Sequence, residues 1–355
     1  MKILNSLIII IICIFFIAGC SSITTTDGKD IESVTEQGNE AAEKPEDESD
    51  TPDIRNSIDL NLKPNEAGKI MVLMYHNIGN EEGEWVRTPA NFIKDMNTLY
   101  EKGYRPISLY DYVSGNITTE QGFTPVVITF DDGNLNNFEY LENGQINEES
   151  AVGLLMDFHE KHRDFPLEAT FFINGEQPFR QNSLIKKKLN FLIECGMDIG
   201  NHTKDHNSFK SVSGEEIQKQ IGHQVQYIES FIDREDYFIN TLALPYGERP
   251  KDEKLTHYLA SGSYNGAAYE NIAILNVGWN PGYSPYDKRF DNLSIPRIRA
   301  SEMKVDNVGL YNYIDYFDRK PEERFISDGV ADVITIPEEK KELINIINGK
   351  ELYIY

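Results

Sequence analysis

Two short segments hold residues whose types and spacing could do chemistry: Thr129-Phe130-Asp131-Asp132-Gly133 and Asn201-His202-Thr203-Lys204-Asp205-His206. Adjacent carboxylates at a strand end point in different directions. One can therefore ligate a metal while the other acts on a water. Gly133 permits a tight turn away from the strand. Two imidazoles four residues apart lie on one face of a helical turn, a spacing that suits a divalent ion. Alone, Asp-Asp-Gly often marks only a turn, and a His pair can be two surface residues. Together, Asp132, His202 and His206 make two imidazoles and a carboxylate, a common set for a catalytic metal with open positions. Asp131 is then free to act as a general base. Such a set suits Zn²⁺ first, and Co²⁺, Ni²⁺ or Mn²⁺ could also occupy it.

Both segments follow apolar runs. Ile70–Tyr75 and Val126–Phe130 read as buried parallel strands. Ala169–Ile173, Met197–Gly200, Leu242–Leu244 and Ile272–Val277 read as further strands, with a short one around Ile107–Leu109. Between them lie helices. Thr88 caps one that starts at Pro89 and ends at Gly103, with Phe92, Met96, Leu99 and Tyr100 as its apolar stripe. Ser150 caps Ala151–His162. Leu184–Cys195 is helical. Ser213 and Glu216 form a capping box for a helix running to about Phe231. Asn307–Phe317 is a last helix. This alternation predicts an α/β fold with mostly parallel strands, a barrel or near-barrel whose chemistry gathers at the C-terminal strand ends.

The chain has 355 residues and a formal net charge of -24. A chain that acidic repels phosphate backbones, so nucleic acid is excluded as a partner. Residues 1–20 carry Lys2, an apolar run too short for a membrane-spanning helix, and Ile17-Ala18-Gly19-Cys20 at the end. The pattern fits a secretory signal. Its last four residues resemble a bacterial lipobox, which implies lipidation at Cys20 and an extracytoplasmic protein anchored to the cell membrane. Residues 21–65 are expected to be a disordered acidic tether, since their Ser, Thr, Asp and Glu content cannot offset the entropy of ordering. Outside the signal only Cys195 remains, so the folded part has no intramolecular disulfide.

Thr129–Gly133 and His202–His206 resemble the first two motifs of the NodB-homology polysaccharide deacetylases, carbohydrate esterase family four. The resemblance covers roughly residues 68–300. Val72–Ile78, Phe92, Gly103-Tyr104, Ile107-Ser108 and Leu244-Pro245-Tyr246-Gly247 are similar to the branch that contains the poly-N-acetylglucosamine deacetylases. It implies a distorted (β/α) barrel over 66–300, with 301–355 as a C-terminal extension packed on it. It also implies metal-dependent removal of acetyl groups from an N-acetylglucosamine-containing polysaccharide. Asp131 would be the base, His76 the acid, Asp132, His202 and His206 the metal ligands. The backbone N–H of Tyr246 would hold the oxyanion, and Trp279 would stand in the fourth motif.

The chain departs from the family pattern in places. Ala243 stands where many members have an Arg that braces the base. No acid precedes Trp279 in Asn276-Val277-Gly278. The fifth motif gives way to Ile295-Pro296-Arg297-Ile298-Arg299, which leaves Arg297 or Arg299 to brace Asp131. Residues 134–165 are longer than usual, and 301–355 carry no motif. Two other readings stand beside the deacetylase: an O-acetyl glycan esterase using the same site, and a non-catalytic glycan-binding lipoprotein that keeps the metal set. Tyr246, Trp279, Tyr283 and Tyr286 could stack on sugar rings under any of them. The oligomeric state and the particular polymer are not set by the sequence.

Overall fold

The computed structural model describes residues 54–346 and 349–355. The expected signal segment, Cys20 and the tether up to residue 53 lie outside the described residues. The last part of that tether is not a free chain. Ile54–Ser57 and Leu60–Leu62 form 3₁₀ turns, Ile58 is buried, and Asn65 N–H donates to Ile326 O at 2.8 Å.

Eight strands make the main sheet. In chain order they are β1 (Met71–Tyr75), β2 (Tyr104–Pro106), β3 (Thr124–Phe130), β4 (Thr170–Ile173), β5 (Asp198–Asn201), β6 (Thr241–Ala243), β7 (Ala273–Leu275) and β8 (Ile298–Arg299). Their spatial order is β7-β6-β5-β4-β3-β1-β8, with β2 on the first half of β3, and every pairing is parallel. The segment leading into β8 bridges the two edges. Ile295 pairs with Leu275 on β7, and Ile298 pairs with Leu73 on β1. The sheet thus curls into a distorted barrel.

The apolar runs are continuous because both faces of each strand are covered. On β1, Met71, Leu73 and Tyr75 pack against the helices, while Val72 faces an inner cluster with Val127, Phe172 and Leu275. The helices on the outer face are α1 (Pro89–Glu101), α3 (Ala151–Lys161), α4 (Ile185–Glu194), α5 (Gly214–Glu229), α6 (His257–Ala260) and α7 (Leu310–Arg319), whereas α2 (Leu109–Ser114) packs Leu109 and Tyr112 into the inner cluster. The inner cluster also holds Ile334 and Ile336, from a strand at Val333–Ile336 that pairs in parallel with Glu351–Ile354. Among the described residues no helix is long and apolar enough to cross a membrane.

The expected N-caps are present, but the Ser213–Glu216 capping box is only half made, because the Glu216 carboxylate accepts from Lys219 and Gln220 instead. The side chains of Thr88, Ser150 and Ser213 accept from Asn91, Gly153 and Glu216 N–H. The strand expected at Ile107–Leu109 is displaced. It lies at Tyr104–Pro106, and Ser108 instead caps α2. Arg105 disguised that strand: it is buried, with its guanidinium over the rings of Tyr100 and Phe123 at 4.4 and 4.1 Å.

Candidate active site

Asp131 and Asp132 leave the end of β3, and His202 leaves the end of β5. The sharp turn after β3 places Asp132 at φ 75° and Gly133 at φ 58°. The two histidines do not share a helical turn as their spacing suggested. They lie in a loop, with Thr203 at φ 68° and His206 at φ 52°. This folded-back path still brings the rings together, Nε2 to Nε2 at 3.2 Å. Asp132 Oδ1 is 3.6 Å from His202 Nε2 and 3.5 Å from His206 Nε2.

This donor set fits a metal ion. The three ligand atoms lie within 4.8 Å of one another. His202 Nδ1 is 2.8 Å from Ala243 O, so Nδ1 carries the proton and Nε2 turns a lone pair to the site. Two imidazole nitrogens at 3.2 Å repel unless a proton or a cation lies between them. Burial lowers the pKa of His202 against the pull of Asp131 and Asp132, and so favours the neutral, ligating form. Asn174 Nδ2 donates to Asp132 Oδ1 at 2.9 Å and orients the carboxylate.

Asp131 is buried on the other side of this set. Arg297 holds it with two parallel hydrogen bonds, Nη1 to Oδ1 and Nη2 to Oδ2, both 2.7 Å. Arg297 is itself fully buried, with Nε donating to Asn276 O at 2.9 Å and Nη1 to Thr129 Oγ1 at 3.2 Å. Burial alone would raise the Asp131 pKa. The Arg297 guanidinium, with His202 and His76, overrides it and holds the carboxyl well below the usual range. So Arg297, and not Arg299, braces Asp131; Arg299 Nη1 goes to Glu84 at 2.9 Å. Gly278 lets this strand approach, because a Cβ there would sit 2.9 Å from Arg297 N.

His76 follows β1, its Nε2 at 3.9 Å from Asp131 Oδ2. Burial lowers its pKa, opposed by Asp131 and Asp132. These residues line a cavity of about 410 Å³ whose apolar wall is Trp85, Leu244 and Val277. Tyr246 lines it too, at φ 59°, with its ring centroid 4.8 Å from that of His206. Trp279 is outside this lining, 57% exposed. The tryptophan of the pocket is Trp85, packed at 4.7 Å on the His76 ring. The sequence reading missed it, although it is one of only two tryptophans and stands nine positions after His76. Tyr286 is a core residue, its hydroxyl bonded to Gly115 O at 2.9 Å, so it stacks on no ligand.

Residues 119–261 match the family model for polysaccharide deacetylase. Curated relatives include the peptidoglycan-N-acetylglucosamine deacetylase PgdA of Listeria monocytogenes, 27% identical over 122 residues, which is 34% of this chain and 21% of that protein. The chain thus spans about a fifth of the length of the curated relatives it matches. Two solved structures share the fold over 71% of this chain and 68% of their own, each with a TM-score of 0.50. They are a polysaccharide deacetylase from Bacillus cereus at 16% identity and the Bacillus anthracis protein BA0330 at 18%. The matched segment contains both Thr129–Gly133 and His202–His206, set at the ends of barrel strands. Motifs and matched segment together make residues 119–261 similar to the polysaccharide deacetylase domain, carried on a distorted barrel of the NodB-homology type.

Proposed function

We propose that this protein is a metal-dependent deacetylase that hydrolyses the acetamide of N-acetylglucosamine units in a polysaccharide, outside the cell, anchored through Cys20. The observation that carries the reading is the pairing of a metal-type donor set with a separate, buried carboxylate. Asp131 Oδ2 lies 3.8 Å from His202 Nε2 and 3.9 Å from His76 Nε2. Glycan binding alone has no use for a buried carboxylate held ionised beside such a set.

A divalent cation on Asp132, His202 and His206, Zn²⁺ first and Co²⁺, Ni²⁺ or Mn²⁺ as alternatives, would supply Lewis acidity to the acetamide carbonyl and the attacking water. Asp131 accepts the proton of that water through Oδ2, the oxygen facing both histidines. Arg297 fixes the direction of this oxygen and takes up the other face of the carboxylate. The Tyr246 backbone N–H is the candidate donor to the oxyanion. The proton taken by Asp131 passes to the neighbouring His76 Nε2, 3.9 Å from Oδ2, and as the C–N bond breaks His76 delivers it to the leaving nitrogen, giving a free amine and acetic acid, which ionises to acetate. Trp85, Leu244 and Val277 form an apolar wall suited to the acetyl methyl group.

Acetate release tests this. The protein, stripped and then reloaded with Zn²⁺ or Co²⁺, is incubated with N-acetylglucosamine oligomers and with peptidoglycan, beside Asp131→Asn. Metal-dependent acetate that the variant fails to release is the expected result. Folded, metal-loaded protein that releases none from any polymer would leave a glycan-binding protein. Release from O-acetylated glycans alone, surviving His76→Ala, would make it an esterase, since an alkoxide needs less acid help than an amine.

A further inference from the structure

A second concavity, of about 720 Å³, lies between the segment after β7 and the helix α7. That is the size of a small-ligand site. Its lining includes Asn280 and Tyr283 on one wall, Asn312, Tyr313 and Tyr316 on the other, and Arg319 at one end. Three tyrosines standing half-buried between amide and charged groups give flat apolar faces beside hydrogen-bonding edges. Such a surface suits pyranose rings, which present C–H faces and hydroxyl rims. Its charges are mixed, with Asp315 beside Lys69 and Arg319, so a neutral chain is accommodated better than a polyanion.

The groove joins the catalytic pocket through the backbone. Val277 lines the pocket and Asn280 lines the groove, with exposed Trp279 between them. On the neighbouring segment Pro296 lines the groove, and the next residue, Arg297, braces Asp131. The walls are tied together: Tyr313 Oη donates to Trp279 O and to Asn280 Oδ1, the latter at 3.0 Å. The groove is therefore built before any ligand arrives. It reaches Lys69, which precedes β1, whereas His76 follows it, a separation of roughly 20 Å along an extended strand.

We propose that this groove is a secondary glycan subsite, binding the stretch of an N-acetylglucosamine chain that flanks the unit being hydrolysed. The C-terminal segment 301–355, which carries no catalytic motif, supplies one of its walls. The proposal rests on the glycan reading above and names where the rest of the polymer lies. It predicts that affinity grows with chain length until the groove is filled.

The test compares Tyr316→Ala and Arg319→Ala with the unmodified full chain. One arm measures kcat and KM for acetate release from N-acetylglucosamine trimer and hexamer. The other measures hexamer binding by titration calorimetry, with no turnover, on the Asp131→Asn protein with and without the groove substitutions. KM for the hexamer is expected to rise roughly fivefold to tenfold in Tyr316→Ala, with kcat and the trimer's KM unchanged, as for one lost aromatic contact. Arg319 is exposed, so its variant covers the case in which Tyr316→Ala misfolds. If the chain hydrolyses no acetamide, the binding arm still decides: hexamer binding lost on groove substitution upholds the subsite, while binding unchanged overturns it. Equal KM values for trimer and hexamer in the unmodified chain would also overturn it, and would leave the deacetylase reading standing.

Discussion

The two sides of Asp131 are built differently. On one side the metal-type set joins two short segments from neighbouring parts of the sheet: Asp132 is the next residue, and His202 and His206 share one short loop after β5, two strands across from β3. On the other, Arg297 arrives from 166 positions away, on the segment that closes the barrel. The first side needs only the consecutive parallel pairings of β3, β4 and β5. The second exists only if β8 reaches β1, because Leu73 pairs with Ile298 directly beside Arg297. Barrel closure and the ionisation of Asp131 are therefore coupled in this fold.

The largest expected effect falls where the two sides meet. Asp131→Asn keeps an acceptor for Arg297 but removes the base, so kcat should fall by about 10²–10⁴-fold with the fold intact. A variant retaining full rate would move the base elsewhere. Next is Arg297→Met, which leaves a carboxylate buried and unpaired. Stability should drop by about 3–5 kcal/mol in denaturant titration. The acid limb of the rate should also move to higher pH, because the guanidinium that holds Asp131 ionised is gone. Arg297→Lys should rescue little, since a point ammonium cannot replace the two parallel bonds. An unchanged acid limb in both variants would deny Arg297 this role.

The same division decides what could be read from the sequence. Continuous apolar runs at Ile70–Tyr75 and Val126–Phe130 gave the parallel barrel, and Thr88, Ser150 and Ser213 gave helix starts, because caps and buried strands are local properties. The chemical residues were legible as types. The conformation that presents them was not: positive φ at Asp132 and His206 is imposed by packing around the loop. Arg297 and Arg299 were equal candidates as brace, since alternation along a strand fixes only that they share a face. Trp85 went unnoticed because its role depends on the ring of His76 being beside it. Lys188 is a further case. It occupies a core position of α4 with Ile185, Leu189 and Leu192, where a charged residue contradicts the apolar stripe.

pH sharpens the comparison further. Burial pushes the His76 and His202 imidazoles below their usual value. In the unfolded chain each takes a proton near about pH 6.5. Below that, the unfolded state binds more protons, so stability is lost as pH falls through the lower folded values. Asp131 acts in a more acidic window: its contribution is full above about pH 3.9 and is lost only as pH falls through its depressed folded value. Metal-free protein should therefore lose Tm first below about pH 6.5, and His76→Gln should flatten that first fall. An identical slope in the variant would assign the loss to other groups.

Lys188 should matter less. Its ammonium donates to Phe138 O at 2.6 Å and Phe179 O at 3.1 Å, joining the loop that follows Gly133 to the turn at Pro178–Arg180. Lys188→Met leaves two buried carbonyls without that donor, a loss of about 1–3 kcal/mol. Because Phe179 N–H in turn donates to Gly133 O, metal affinity should also weaken, measurable by competition with a chelator. Unaltered affinity at reduced stability would confine Lys188 to the fold.

Arg299 gives the smallest effect and the cleanest control. It lies two residues beyond Arg297, but its partners are Glu84, the carbonyls of Met303 and Lys304, and the face of Trp85, at 4.8 Å. Glu84 is partly exposed and also pairs with Lys304 at 3.0 Å, so its charge stays compensated when Arg299 is removed. Arg299→Ala should thus cost at most about 1 kcal/mol, the usual range for an accessible pair. Trp85 keeps its contact with His76, so KM should shift modestly and the acid limb of kcat not at all. If Arg299→Ala instead reproduced the acid-limb shift of Arg297→Met, the brace would belong to the strand as a whole. A shift in Arg297→Met alone places it in one guanidinium.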